Sequence, residues 1–239
     1  MHTMRAKRIV PLLVAGGGIL TLVHIYVAGK GLGYAGPLLL VDHLFDLGLV
    51  LALVALGTAL GRLITSRTRL EGDDPVLGLV IALLLGLAAL ATAILLLGLL
   101  SGLYMWALLL LLLAATLFSR RELSALPSDL RRMIGFLRRH GGSRAELIFG
   151  FSVLAAATAV LLVLAMAPPV DWDALMYHLQ IPSQFLEAHR IYLPEDNLHV
   201  SFVGLVHMLY LPLLAFHSIS GPALLSAVLA VVLGVVVFS

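Results

Sequence analysis

The stretch Pro168–Val200, PPVDWDALMYHLQIPSQFLEAHRIYLPEDNLHV, gathers five of the chain's thirteen carboxylates, three of its nine histidines and one of its two tryptophans. Carboxylates and imidazoles exchange protons and contact anions, and a cluster of them beside apolar segments marks a site for chemistry at a membrane face. Pro168 and Pro169 end the apolar segment before it. Asp171 then caps a helix expected to run to about Gln180, and Pro182 opens a second short one. At 3.6 residues per turn, Trp172, Leu175, Met176 and Leu179 form one apolar stripe, continued by Phe185 and Leu186. Asp173, Tyr177 and Gln180 form a polar stripe on a neighbouring face, and Asp171 and His178 lie on a third. Such a helix rests on the bilayer and turns Asp173 toward a groove above the bundle. Leu193-Pro194-Glu195-Asp196-Asn197 turns the chain back to the membrane. The plainer reading has Asp171 and Asp173 only capping a surface helix, with Trp172, Tyr192 and Tyr210 as interfacial belt residues and His207 as a packed histidine.

A second polar cluster, Asp42, His43 and Asp46, falls inside an apolar segment. Asp42 and Asp46 are four residues apart and share a helix face, and His24 on the preceding segment is close enough in depth to pair with either. An intramembrane acid costs about 2.5–3.5 kcal/mol on insertion scales, so these side chains face the bundle. They read as an interhelical clasp, or as a proton relay or cavity wall. Gly57 and Gly61 form a GxxxG that permits close helix packing. The histidine spacings, 178 to 189 to 199, match no strong metal motif, so no cofactor is expected, and a divalent cation, though allowed, has no support in the sequence.

The elements that position these residues are membrane spans. The chain is 61% hydrophobic and 12% charged, with a mean hydropathy of +1.08, against about 25% charged residues in an average soluble domain. Pro75–Ser119 contains no Asp, Glu, Lys or Arg and breaks at Ser101-Gly102 into two spans. The whole is read as an all-α polytopic bundle of about seven spans: Ile9–Ala28, Leu38–Leu60, Val76–Leu100, Tyr104–Phe118, Leu147–Ala167, Ser201–Phe216 and Pro222–Ser239. Pro212 is tolerated in the sixth if neighbours satisfy the freed carbonyl. Residues 1–146 read as a four-span module and 147–239 as a second module. Thirteen of the fifteen Lys and Arg fall on one side of this arrangement, and only Lys30 and Arg190 on the other. Positive charge is retained in the cytoplasm. The N-terminus is therefore expected inside, and 168–200 in the periplasm or on the exterior of a plasma (inner) membrane. The basic loop Ser119–Glu146 carries Leu126, Leu130, Ile134 and Leu137 at helical spacing, with Pro127 near its start, as an amphipathic helix on anionic lipid would. It serves as a topology anchor or a headgroup site. No basic patch is interleaved with aromatics outside such flanking loops, so nucleic acid is not an expected partner.

The segment VDWDALMYHLQIPSQFLEAHRIYLPEDNLHVSFVGLVHMLYL resembles the first outer loop of bacterial GT-C-type membrane glycosyltransferases, similar to the protein O-mannosyltransferase and aminoarabinose transferase group. The pieces that carry the likeness are Asp173-Ala174-Leu175-Met176-Tyr177-His178-Leu179, Tyr192-Leu193-Pro194-Glu195-Asp196-Asn197 and Met208-Leu209-Tyr210. The resemblance covers about Val170–Leu211. It implies transfer of a sugar, with inversion, from a polyprenyl-phosphate-linked donor to an acceptor hydroxyl at the outer membrane face. It makes Asp173 the general base, with Asp171 as base instead or as the group that orients the acceptor. Tyr177, His178, Arg190, Asn197 and His199 would line the substrate path, with Arg190, His178, His189 and His199 offered to the leaving phosphate. The chain departs from that group in three ways: four spans precede the helix that leads into the loop, Trp172 separates the two acids, and the apolar run reaches Ser239. The last point suggests an N-terminal piece of a longer enzyme. The competing reading is a non-enzymatic membrane protein, a transporter or assembly factor using Asp42, His43 and Asp46, although no internal repeat of a transporter is evident.

Overall fold

Asp74 shows most directly how the sequence sets a helix. Its carboxylate accepts the N–H groups of Val76 at 2.8 Å and Leu77 at 3.3 Å, and Pro75 occupies the first helical position, where its missing N–H costs nothing. The computed structural model describes residues 39–68, 74–140, 144–169, 171–193 and 203–237, and every regular element among them is helical. The chain divides into two compact units, residues 1–44 and 45–239. The helices are α1 (Leu39–Thr68), α2 (Pro75–Leu99), α3 (Met105–Phe118), α4 (Arg120–His140), α5 (Arg144–Met166), α6 (Gln180–Glu187), α7 (Leu205–Met208), α8 (Tyr210–Ala215) and α9 (Gly221–Val237).

Among the described residues, three helices are long and apolar enough to cross a membrane: α1 from Val41, α2, and α5 from Ile148. Three of the other expected spans are shorter apolar helices: α3, the α7–α8 pair and α9. The expected first span, with His24, lies outside the described residues. α3 has 14 residues, about 21 Å of helix against about 30 Å of hydrocarbon. The expected sixth span is two helices instead of one. Pro212 cannot donate to the Met208 carbonyl, and the helix breaks at Leu209, one turn before it.

α1 and α2 approach backbone to backbone. A Cβ on Gly61 would collide with the Ala82 carbonyl, and one on Gly86 with the Gly57 carbonyl. The glycine pair in α1 therefore meets a glycine of α2, and Val50, Leu53, Leu56, Leu83, Leu87 and Leu90 fill the core around the crossing. α7 also packs on α2, and α9 packs on α5 and α8, so helices before and after residue 146 share one core.

The two ends of α2 hold different chemistry. At its start, Arg62 of α1 pairs with the buried Asp129 of α4, beside Thr65, Asp74 and Arg132. At its finish, the helix ends at Leu99 and Ser101 takes a positive φ of 57°, the break read at Ser101-Gly102. Here the Gly98 carbonyl accepts the Ile191 N–H and the His189 carbonyl accepts the Leu103 N–H, both at 3.0 Å. The segment after α6 is thus stitched to the α2–α3 turn.

Candidate functional site

After Pro168 and Pro169, the chain enters a helix at Trp172 that widens into a π turn over Ala174–His178, closed by the Leu179 N–H on the Ala174 carbonyl at 3.0 Å. The cause is in the sequence. Pro182 lacks an N–H, and its ring crowds the carbonyl four residues back, that of His178. A regular turn cannot run through both, and one wider turn absorbs the mismatch. α6 then begins at Gln180 with Pro182 in its first turn and buries Ile181 and Phe185. The expected apolar stripe is divided. Trp172 and Leu175 are exposed, whereas Met176 and Leu179 are half-buried.

This turn, the end of α5, α8 and the start of α9 surround a cleft of about 660 Å³. Its polar groups come from Asp171, His178, Tyr210, Ser220 and Ser226; Leu164, Ala165, Ile219 and Ala223 supply apolar wall. No Lys or Arg is among the described residues that line it. Of the two candidate acids, Asp171 borders the cleft. Asp173 lies on the neighbouring exposed face, makes no capping bond, and accepts a hydrogen bond from the Tyr177 hydroxyl, the i, i+4 partner on its stripe. Partial burial raises the Tyr177 phenol above its ordinary value, and the Asp173 hydrogen bond and negative charge raise it further. Tyr177 therefore stays a neutral donor to Asp173 through the physiological range.

His178 Nδ1 lies 2.6 Å from Nε2 of His207, a residue only 4% exposed. Tyr210 sets its ring edge against His207 at 5.2 Å. The Ser226 hydroxyl donates to the Pro222 carbonyl at 3.1 Å, so the Tyr210 hydroxyl, 3.2 Å away, is the donor to Ser226. Ser220 also lines the cleft; its hydroxyl donates to Asp46 Oδ2 at 3.0 Å, and Asp46 is 1% exposed. Two polar clusters that are separate in sequence, the acid of α1 and the loop after α5, thus reach one cleft through Ser220. Nothing in the sequence singles out Ser220, Ser226 or the His178–His207 contact; His207 and Tyr210 read there as packing and belt residues.

The remaining candidates lie elsewhere. Arg190 sits over the Tyr192 ring at 5.7 Å and His189 stacks on Tyr104 at 4.1 Å, both at the α2–α3 turn. Asp42 and His43 stand on the first turns of α1 in the 1–44 unit. His24, Asn197 and His199 fall outside the described residues. Comparison with known proteins gives no match to any family model, curated protein or solved structure.

Proposed function

We propose that the chain is a membrane glycosyltransferase of GT-C type, whole or in part, acting on a polyprenyl-phosphate-linked sugar. One observation carries the reading beyond the loop resemblance: Asp171 and His178, seven residues apart, border the same cleft, one wall of which is the apolar end of a long apolar helix. In this reading the Asp171 carboxylate removes the proton of an acceptor hydroxyl as that oxygen bonds to the sugar's anomeric carbon. The bond from that carbon to the phosphate oxygen breaks on the opposite face, its electron pair leaves with the phosphate, and configuration inverts. His178 donates a hydrogen bond to the departing phosphate oxygen. The donor's lipid lies along the apolar wall. Asp173, held by Tyr177, orients the acceptor instead of deprotonating it. Arg190, Asn197 and His199 belong to the substrate path on the strength of the resemblance alone.

The same reading takes the chain as a seven-span protein of the plasma (inner) membrane with 168–200 on the outer face. Its support is that the acid-rich segment and the α2–α3 turn meet at one end of α2, and the arginine-rich α4 meets α1 at the other. That is the alternation expected from the distribution of positive charge.

The test is sugar transfer by the protein in lipid nanodiscs, supplied with a panel of radiolabelled polyprenyl-phosphate sugars and candidate acceptors. Loss of a general base lowers turnover by about 10²–10⁴, so Asp171→Asn should abolish measurable transfer while Asp173→Asn leaves a residue of it. Transfer indifferent to Asp171→Asn removes the proposed base. Proton-coupled solute flux that requires Asp46 and ignores Asp171 replaces the reading with a transporter.

A further inference from the structure

The contact between His178 and His207 has a geometry that simple packing does not demand. The ring planes differ by 8°, the ring centroids are 4.9 Å apart, and the nearest nitrogens are 2.6 Å apart. That centroid separation is about the largest a contact of 2.6 Å allows, so the two nitrogens lie in line between rings that share a plane. This is the arrangement of an N–H···N hydrogen bond, not of a stack.

The direction of that bond is fixed by the backbone. His207 Nδ1 lies 2.9 Å from the Gly204 N–H and 3.3 Å from the Gly204 carbonyl. The carbonyl already accepts the His207 backbone N–H at 3.1 Å, and the amide nitrogen is the nearer group. An N–H can only donate, so Nδ1 of His207 is the acceptor, and the proton of the neutral ring sits on Nε2. His207 Nε2–H then donates to His178 Nδ1. The proton of neutral His178 is thereby confined to its own Nε2, the one hydrogen-bonding atom of this cleft-lining ring left over.

We propose that His207 is a positioning residue: with the Gly204 N–H behind it, it locks the His178 ring in place and in the tautomer that offers Nε2–H to an anionic group in the cleft. The role in turnover rests on the glycosyltransferase reading; the tautomer lock does not. His207 touches no reacting atom and passes on no proton. A buried imidazole with both nitrogens engaged is a rigid mount, and a mount of this kind matters where a donor must meet charge that develops only during reaction.

The experiment has two arms. In the first, the full chain with ¹⁵N-labelled histidine is studied in nanodiscs by NMR at a pH where both rings are neutral. The expected result is His207 with an acceptor-type Nδ1 and a protonated Nε2, together with a scalar coupling between His207 Nε2 and His178 Nδ1 across the shared proton. A His207 protonated on Nδ1, or the absence of that coupling, overturns the lock whatever the protein catalyses. In the second arm, His207→Phe keeps a planar aromatic ring, somewhat larger than imidazole, and removes both nitrogens. Its turnover of whichever polyprenyl-phosphate sugar serves the wild type should fall by roughly tenfold to a hundredfold, the worth of one hydrogen bond to a charged group, with KM little changed. Coupling present and turnover unaltered in His207→Phe overturns the positioning role. If His207→Phe does not fold, the wild-type spectrum still decides the lock. If the wild type transfers no sugar, the glycosyltransferase reading fails and the lock stands or falls on the spectrum.

Discussion

At the scale of single residues, the two acids of the Asp171-Trp172-Asp173 triplet have different surroundings: Asp171 borders the cleft, and Asp173 pairs with Tyr177. Asp173 holds the Tyr177 phenol, and partial burial together with that carboxylate raises the phenol above its ordinary value. A raised phenol favours the neutral form in the folded state. The stability it contributes is complete below the unfolded value near 10 and is lost as pH climbs through the higher folded value. The phenolate absorbance titration of the wild type minus that of Tyr177→Phe should therefore show a midpoint above 10. In Asp173→Asn the amide oxygen can still accept the bond but carries no charge, so the midpoint should move down without reaching the ordinary value, since burial remains. A Tyr177 midpoint identical in wild type and Asp173→Asn would mean that the carboxylate does not act on the phenol. The Asp173–Tyr177 pairing was legible in the sequence, because i, i+4 on one face needs only helical spacing. That Asp171 and not Asp173 borders the cleft was not legible. It depends on how the end of α5, Tyr210 and the start of α9, distant in sequence, close around the segment.

At the scale of elements, the close crossing of α1 and α2 rests on glycines that leave no room for a side chain. Gly61 faces the Ala82 carbonyl and Gly86 the Gly57 carbonyl, and a backbone carbonyl cannot swing aside as a side chain would. Gly86→Ala or Gly61→Ala should destabilise the fold by at least about 1–3 kcal/mol, the usual cost of overpacking. Gly78→Ala, on the same α2 with open space at its Cβ, should be neutral or slightly stabilising. Midpoints of SDS-induced unfolding in mixed micelles, read by circular dichroism, order the three variants. Equal midpoints for Gly86→Ala and Gly78→Ala would show that the helices are not that close. Half of this crossing could be read from Gly57 and Gly61 as a GxxxG, but its partner Gly86 belongs to no such motif. The break in the α7–α8 pair departs from the single span expected there, although its cause, the missing N–H of Pro212, is visible in the sequence. The Ser220–Asp46 bond was not, because a hydroxyl 174 positions away from its partner carries no local signal.

At the scale of the whole molecule, the distribution of charge and the folded contacts can be tested together. α5 exposes Phe149, Phe151, Val160, Val163 and Leu164 along much of its length, a pattern for which lipid is the fitting surround. The polar groups gather at opposite ends of α2. Arg62 and Asp129 sit at its start, and the 98–104 turn with His189 and Ile191 sits at its finish. If α2 crosses the bilayer, those two ends face different compartments, and the positive-inside rule assigns the Arg62 end to the cytoplasm. The chain has no cysteine, so single reporters can be placed without altering a background. Arg132→Cys lies on an exposed position of α4, and Arg190→Cys on an exposed position beyond α6. In intact cells a membrane-impermeant maleimide should label Arg190→Cys at once and Arg132→Cys only after the membrane is opened. Labelling of both from outside would put the two ends of α2 on one side, which a spanning α2 forbids. Labelling in the reverse order would keep the span and turn the molecule over. The Asp171–His178 cleft would then face the cytoplasm, where the donor's phosphate and the acceptor would have to approach from that side.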